Sequence, residues 1–190
     1  MTQASAVTRA PKLYLLTNDD EFAVLYAKLE AAFATGLIAL LQIRRKKTLQ
    51  LPDGATKLYD EALQIVRLAK TYDVPVVIND DIKLAEKLGV GVHLGQQDGD
   101  INDAKRQLAP KQIIGRTCHG DVDLVKEAKK EGASYAAMGA VFASNTKPNA
   151  NIISRQELID GCQQGVDICV IGGLSAENIV ELAGLPIAYV

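Results

Sequence analysis

Carboxylates, cations and hydroxyls recur in this sequence where short apolar runs end. Arg44 and Lys46 fall in Gln42-Ile43-Arg44-Arg45-Lys46-Lys47, Asn79-Asp80-Asp81 follow a second run, and Asp98 closes His93-Leu94-Gly95-Gln96-Gln97-Asp98. Thr117-Cys118-His119, Ser144-Asn145-Thr146-Lys147 and Gly172-Gly173 follow three more. These residue types suit a diphosphate held with magnesium. That ion takes one or two carboxylates plus phosphate oxygens, which Asp80 and Asp98 can complete. Arg44 can fork onto phosphate oxygens, with Lys46 and Lys147 as point charges. Thr117, Ser144 and Thr146 offer hydroxyl donors, and the Gly172-Gly173 backbone, opening toward a following helix, suits a second phosphate. Each cluster alone also has an ordinary reading: a solvated basic edge, a helix N-cap, a structural histidine or a tight glycine turn. Their recurrence on one rim carries the chemistry.

The elements that must gather these residues follow a repeating rhythm. Apolar runs at 13–17, 38–43, 74–78, 90–94, 112–115, 135–141, 168–171 and 186–190 read as strands buried on both faces. Helical stripes lie between them. Residues 21–33 align Phe22, Leu25, Leu29 and Ala32; residues 58–70 align Ala62, Ile65, Val66 and Ala69. Residues 121–130 repeat the pattern, and 175–183 open with Ser175 as a plausible N-cap. About eight strands alternating with seven helices predict an α/β fold, a (β/α)8 TIM barrel of parallel strands joined by right-handed crossovers. An open doubly wound sheet is the alternative, but no Gly-rich turn follows the first strand to favour dinucleotide binding. Sites in parallel α/β folds lie beyond the carboxyl ends of the strands. At period two, Gln42, Arg44 and Lys46 face the barrel mouth while Arg45 and Lys47 face away. Residues 1–12 are expected to form a flexible segment and residues 13–190 a single barrel domain lacking the final C-terminal helix. Such an end would expose an apolar flank.

Composition narrows the function classes. A chain of 190 residues, 48% hydrophobic and 23% charged, suits one globular domain. With aromatics at 5%, no Trp and a net charge of -2, it offers neither stacking platforms nor a basic field for nucleic acid. No signal peptide or membrane-length apolar run is legible, so a cytoplasmic location without membrane contact is expected. Cys118, Cys162 and Cys169 match no zinc or redox spacing and read as free thiols. The partners expected are small molecules.

On these same residues the chain resembles the thiamine-phosphate synthase family, from about Leu13 to the end. The resemblance runs through Leu13-Tyr14-Leu15-Leu16-Thr17-Asn18, Gln42-x-Arg44-x-Lys46 and Ile78-Asn79-Asp80-Asp81. It continues through Gly91-Val92-His93-Leu94-Gly95-Gln96-x-Asp98, Gly139-Ala140-Val141-Phe142-x-Ser144-x-Thr146-Lys147 and Ile171-Gly172-Gly173-Leu174. The resemblance implies coupling of hydroxymethylpyrimidine diphosphate to a thiazole phosphate, with release of diphosphate. It implies Gln42 at the pyrimidine, and Arg44, Lys46, Asn79, Thr117, Ser144, Thr146 and Lys147 around the diphosphate. Asp80 and Asp98 would hold magnesium, and Gly173 would offer its N–H to the thiazole phosphate. The family often has Ser at position 117 and Thr at position 144, so both departures keep a hydroxyl. Its loop and short helix beyond the last strand have no counterpart here, which implies weakened thiazole binding or stability. Two other activities remain open: a related thiazole tautomerase, with His119 as acid–base group, and an idle paralogue that only binds thiamine precursors.

Overall fold

The computed structural model describes residues 10–143 and 150–190. Its seven strands are β1 (Leu13–Leu16), β2 (Ile38–Ile43), β3 (Val76–Asn79), β4 (Gly91–Leu94), β5 (Ile114–His119), β6 (Tyr135–Met138) and β7 (Asp167–Val170). All pair in parallel in sequence order. The chain end closes the ring. Lys12 N donates to Ala188 O at 2.9 Å and Tyr14 N to Val190 O at 2.8 Å, while Val170 N donates to Tyr189 O at 2.9 Å. The eighth strand expected at 186–190 is thus reduced to bridges at Tyr189. Pro186, with no N–H, cannot take part as a donor. The closed barrel replaces the open-sheet alternative.

The helices are α1 (Phe22–Ala34), α2 (Lys46–Leu49), α3 (Gly54–Thr71), α4 (Ile82–Leu88), α5 (Ile101–Gln107), α6 (Val122–Glu131) and α7 (Arg155–Cys162). Of the apolar stripes read from sequence, Leu25 and Leu29 of α1 and Ala62, Ile65 and Ala69 of α3 are buried, while Phe33 rather than Ala32 completes the buried face of α1. One large cluster fills the space between strands and helices, and a smaller one built on Tyr14, Leu40, Val77, Tyr135 and Cys169 fills the barrel. Gly115 makes room for the latter, since a Cβ there would overlap the Tyr135 ring.

Three sequence expectations are corrected. The fifth strand runs two turns of the pleat past 115, so Thr117 lies within β5 rather than after it. The sixth stops at Met138 rather than 141. The helix expected at 175–183 is only a 3-10 turn, Ile179–Leu182. Asn178 ties itself back to Ser175 N and Gly173 O at 2.8 Å each, and Gly184 adopts φ 83 just beyond the turn. Only four residues are left to coil.

Candidate active site at the carboxyl rim

The end of β3 divides two neighbouring carboxylates between different tasks. Asp81 caps α4, its side chain accepting from Leu84 N at 2.9 Å. Asp80 instead has φ 66, a left-handed conformation that Asp tolerates better than most residues, held by its N–H on His93 O at 2.8 Å. Its Oδ2 accepts from Asn79 Nδ2 at 2.5 Å and lies 3.6 Å from Lys46 Nζ. Its Oδ1 accepts from Gly95 N at 3.3 Å. The adjacent β4 loop delivers Asp98 to the same point. A Cβ on Gly95 would overlap Asp98 Oδ2 and lie 3.7 Å from Asp80 Oδ1. Desolvation, then the charge of Asp80, raises the Asp98 carboxyl above its usual range. Two converging carboxylates, with Asp98 raised beside Asp80, match the preference of a small hard cation for oxygen ligands. A cleft of about 630 Å³ opens beside them, lined in part by Lys46, Asn79, Asp80, Asp98 and Asp103.

β2 ends at Ile43, so the turn into α2 rather than the strand period places the basic run that follows. Gln42 is 4% exposed and bonds Asn79 Oδ1 through Nε2 at 2.8 Å. Arg45 turns away from the mouth into a buried pair with Glu61 of α3, its Nη2 2.9 Å from Oε2. Lys46 returns to the rim at Asp80, and Arg44 is half-buried with its N–H on Thr17 Oγ1 at 2.8 Å. Thr117 is also half-buried, with Oγ1 2.9 Å from His93 Nε2. Gly172 and Gly173 adopt φ 93 and φ 69. A Cβ on Gly172 would meet that of Ala140 at 2.5 Å, so both backbones come close. No α-helix follows Gly173 directly, so no helix dipole points at this backbone. Ser144, Thr146 and Lys147 lie outside the described residues.

Several participants carried no sequence signal of their own. Arg116 braces the loop that carries Asp98, donating from Nη1 to Gly95 O at 2.9 Å and Gly99 O at 2.7 Å. Tyr14 and Tyr135 join hydroxyls at 2.7 Å inside the barrel, and Tyr135 OH lies 2.8 Å from His93 Nδ1. They read as core aromatics; only their partners, far off in sequence, reveal the polar role. His119 is exposed at the irregular end of β5, and among the described residues no side-chain hydrogen bond holds its ring. Cys118 and Cys169 are buried free thiols, with Cys118 pushed up to about 12 by desolvation, so neither is an activated nucleophile.

Such a rim, at the carboxyl ends of a closed parallel barrel, lies where enzymes of this architecture carry their active sites. Similarity to known proteins narrows the class. The family described as thiamine monophosphate synthase matches residues 13–190. A thiamine-phosphate synthase of Chromobacterium violaceum is 38% identical over 172 residues, covering 90% of this chain and 80% of the relative. One of Saccharophagus degradans is 39% identical over 158 residues, covering 82% and 70%. The solved thiamine phosphate pyrophosphorylase of Pyrococcus furiosus superposes with a TM-score of 0.77 at 26% identity, covering 94% of this chain and 84% of that one. The chain belongs to the thiamine monophosphate synthase family. Among the described residues, no helix is long and apolar enough to cross a membrane.

Proposed function

We propose that the protein couples hydroxymethylpyrimidine diphosphate to the thiazole phosphate, forming thiamine phosphate and releasing diphosphate. The bond between the pyrimidine methylene carbon and the diphosphate oxygen breaks, and its electron pair leaves with diphosphate. The thiazole nitrogen supplies a pair to the same carbon. No proton need move, so the site requires no general base. Its task is to position the partners and to stabilise negative charge on the leaving oxygens.

The observation that carries this reading is the convergence of Asp80, Asp98 and Lys46 at one point of the rim. Asp80 and Asp98 would hold magnesium, which when bound supplies positive charge to the leaving diphosphate. Arg44, Lys46 and Lys147 would bind the diphosphate oxygens. Asn79, Thr117, Ser144 and Thr146 would line the same pocket, Gln42 would meet the pyrimidine, and Gly172 with Gly173 the thiazole phosphate. Small-molecule substrates and a cytoplasmic setting, with no membrane or nucleic-acid partner, accord with this chemistry.

Magnesium-dependent release of diphosphate from the two substrates tests the proposal. Asp80→Ala and Lys147→Ala should each lower turnover by about 10²–10³, the scale of one electrostatic donor. Near-normal rates in either variant would overturn the assignment. A tautomerase would need no diphosphate substrate, and an idle paralogue would bind both precursors without turnover.

A further inference from the structure

Seven side chains are joined end to end across the barrel interior. From Thr117 Oγ1 the chain passes to His93 Nε2 at 2.9 Å, and from His93 Nδ1 to Tyr135 OH at 2.8 Å. It goes on to Tyr14 OH at 2.7 Å and Gln42 Oε1 at 3.2 Å. Gln42 Nε2 then reaches Asn79 Oδ1 at 2.8 Å, and Asn79 Nδ2 reaches Asp80 Oδ2 at 2.5 Å.

The available protons leave this chain one direction. A carboxylate only accepts, so Asn79 must turn its nitrogen to Asp80 and its oxygen to Gln42. Gln42 then gives its nitrogen to Asn79 and its oxygen to Tyr14. Tyr14 uses its single proton on Gln42 and accepts from Tyr135. Tyr135 uses its own on Tyr14 and accepts from His93, which therefore carries hydrogen on Nδ1. With hydrogen on Nδ1, the neutral ring leaves Nε2, 2.9 Å from Thr117 Oγ1, as a bare lone pair. Thr117 must donate to that lone pair. Its oxygen consequently meets the mouth as an acceptor, suited to a cation or a ligand N–H rather than to a phosphate oxygen.

We propose that His93, Tyr135 and Tyr14 are positioning residues: in its Nδ1–H tautomer, His93 acts through the two tyrosines to lock the Gln42 amide in the one orientation that matches an aminopyrimidine edge. Gln42 retains a second amide hydrogen and a second oxygen lone pair beyond those the chain uses. An aminopyrimidine offers a ring nitrogen that accepts beside an amino group that donates, the same complement by which a carboxamide reads adenine. Without a donor at Tyr14, Asn79 alone would hold the amide, and its oxygen end would swing out of register with the pyrimidine edge. This role rests on the proposed coupling reaction.

The test pairs spectroscopy with kinetics. In ¹⁵N-histidine-labelled protein carrying His119→Asn, so that His93 alone is seen, the ring should be neutral with hydrogen on Nδ1 at neutral pH. A ring protonated at Nε2 would overturn the proposal. Tyr135→Phe keeps the ring stacked on His93 but removes the link. It should raise KM for the pyrimidine diphosphate roughly ten-fold, the scale of one hydrogen bond. KM for the thiazole phosphate should stay within about two-fold, because that ligand does not meet the Gln42 amide. Tyr14→Phe cuts the chain one link nearer Gln42 and should give the same shift, so the test stands even if one variant fails to fold. Unchanged KM for the pyrimidine diphosphate in a folded variant, with wild type active, overturns the positioning role alone. Wild-type protein that releases no diphosphate overturns the coupling reaction, and the positioning role with it, while the tautomer measurement still reports the direction of the chain.

Discussion

Replacing Arg45 by Met probes the scaffold behind the rim. The guanidinium contacts Glu61 Oε2 through Nη2 at 2.9 Å and Nε at 3.0 Å, and the two side chains are only 3% and 5% exposed. Its Nη1 also donates to Asn18 O at 2.9 Å and Asp20 O at 2.7 Å, which fastens the loop after β1. Glu61 Oε1 has no hydrogen-bond partner among the described residues, so the carboxylate already depends on this single cation. Arg45→Met keeps most of the apolar stem and strands that charge. Breaking a buried pair from one side costs about 3–5 kcal/mol. The loop carbonyls lie near the surface and regain water, so they add little. Against a typical domain stability of about 5–15 kcal/mol, the loss is about a fifth or more. The double variant Arg45→Met with Glu61→Leu removes the stranded charge and should recover most of it, since apolar replacement of a whole buried pair is often close to neutral. Urea unfolding followed by circular dichroism, with linear extrapolation, measures all three proteins. A loss below about 1 kcal/mol for the single variant, the value of an exposed pair, refutes the reasoning. So does a double variant no more stable than the single.

Two further outcomes follow from the rim and the barrel interior. Gly95→Ala places a Cβ against Asp98 Oδ2 and should swing that carboxylate out of the site. The magnesium concentration giving half the maximal rate should rise about 10–100-fold, the scale seen when support around a metal is disturbed. Its melting temperature should fall by less than about 4 °C, because the clash is with the end of a mobile side chain; unchanged magnesium dependence counts against the shared site. His93 concerns pH. Its folded value of about 4 lies below the usual unfolded value of about 6.5, so between them the unfolded chain binds the proton and the native state does not. Stability from this group is therefore full above about pH 6.5 and is lost as pH falls toward about 4, by about 3 kcal/mol in all. The stability of wild type relative to His93→Gln should shrink by up to that amount across the window, and a difference independent of pH would refute the assignment.

Alternation of apolar runs and helical stripes was enough to give the parallel barrel, because strands buried on both faces must be apolar throughout. β2 was legible residue for residue at Ile38–Ile43; Arg45 and Lys46 do part as expected, but the turn into α2 parts them, since the strand has already ended. The short helices were less legible. With seven residues each, α4 and α5 hold too few turns for a periodic stripe, and their caps are the clearer mark. Local pattern also overstated the last helix, where the Asn178 side chain competes for the backbone that a helix would have used. The rim carboxylates were legible as types and Asp80 was chosen among them, but the left-handed turn that holds it apart from the Asp81 cap was not legible.

By itself, then, the sequence determined the barrel, the rim that carries the chemistry and the family resemblance, since these rest on local period and ordered motifs. Only the tertiary structure decided that Tyr14, His93 and Tyr135 form one polar chain, that Arg116 braces the Asp98 loop and that Thr117 meets the His93 ring. Those partners come from different strands, 121 positions apart for Tyr14 and Tyr135. The direction of a hydrogen bond depends on every other bond its donor makes, and that is set by the closed barrel rather than by neighbours along the chain.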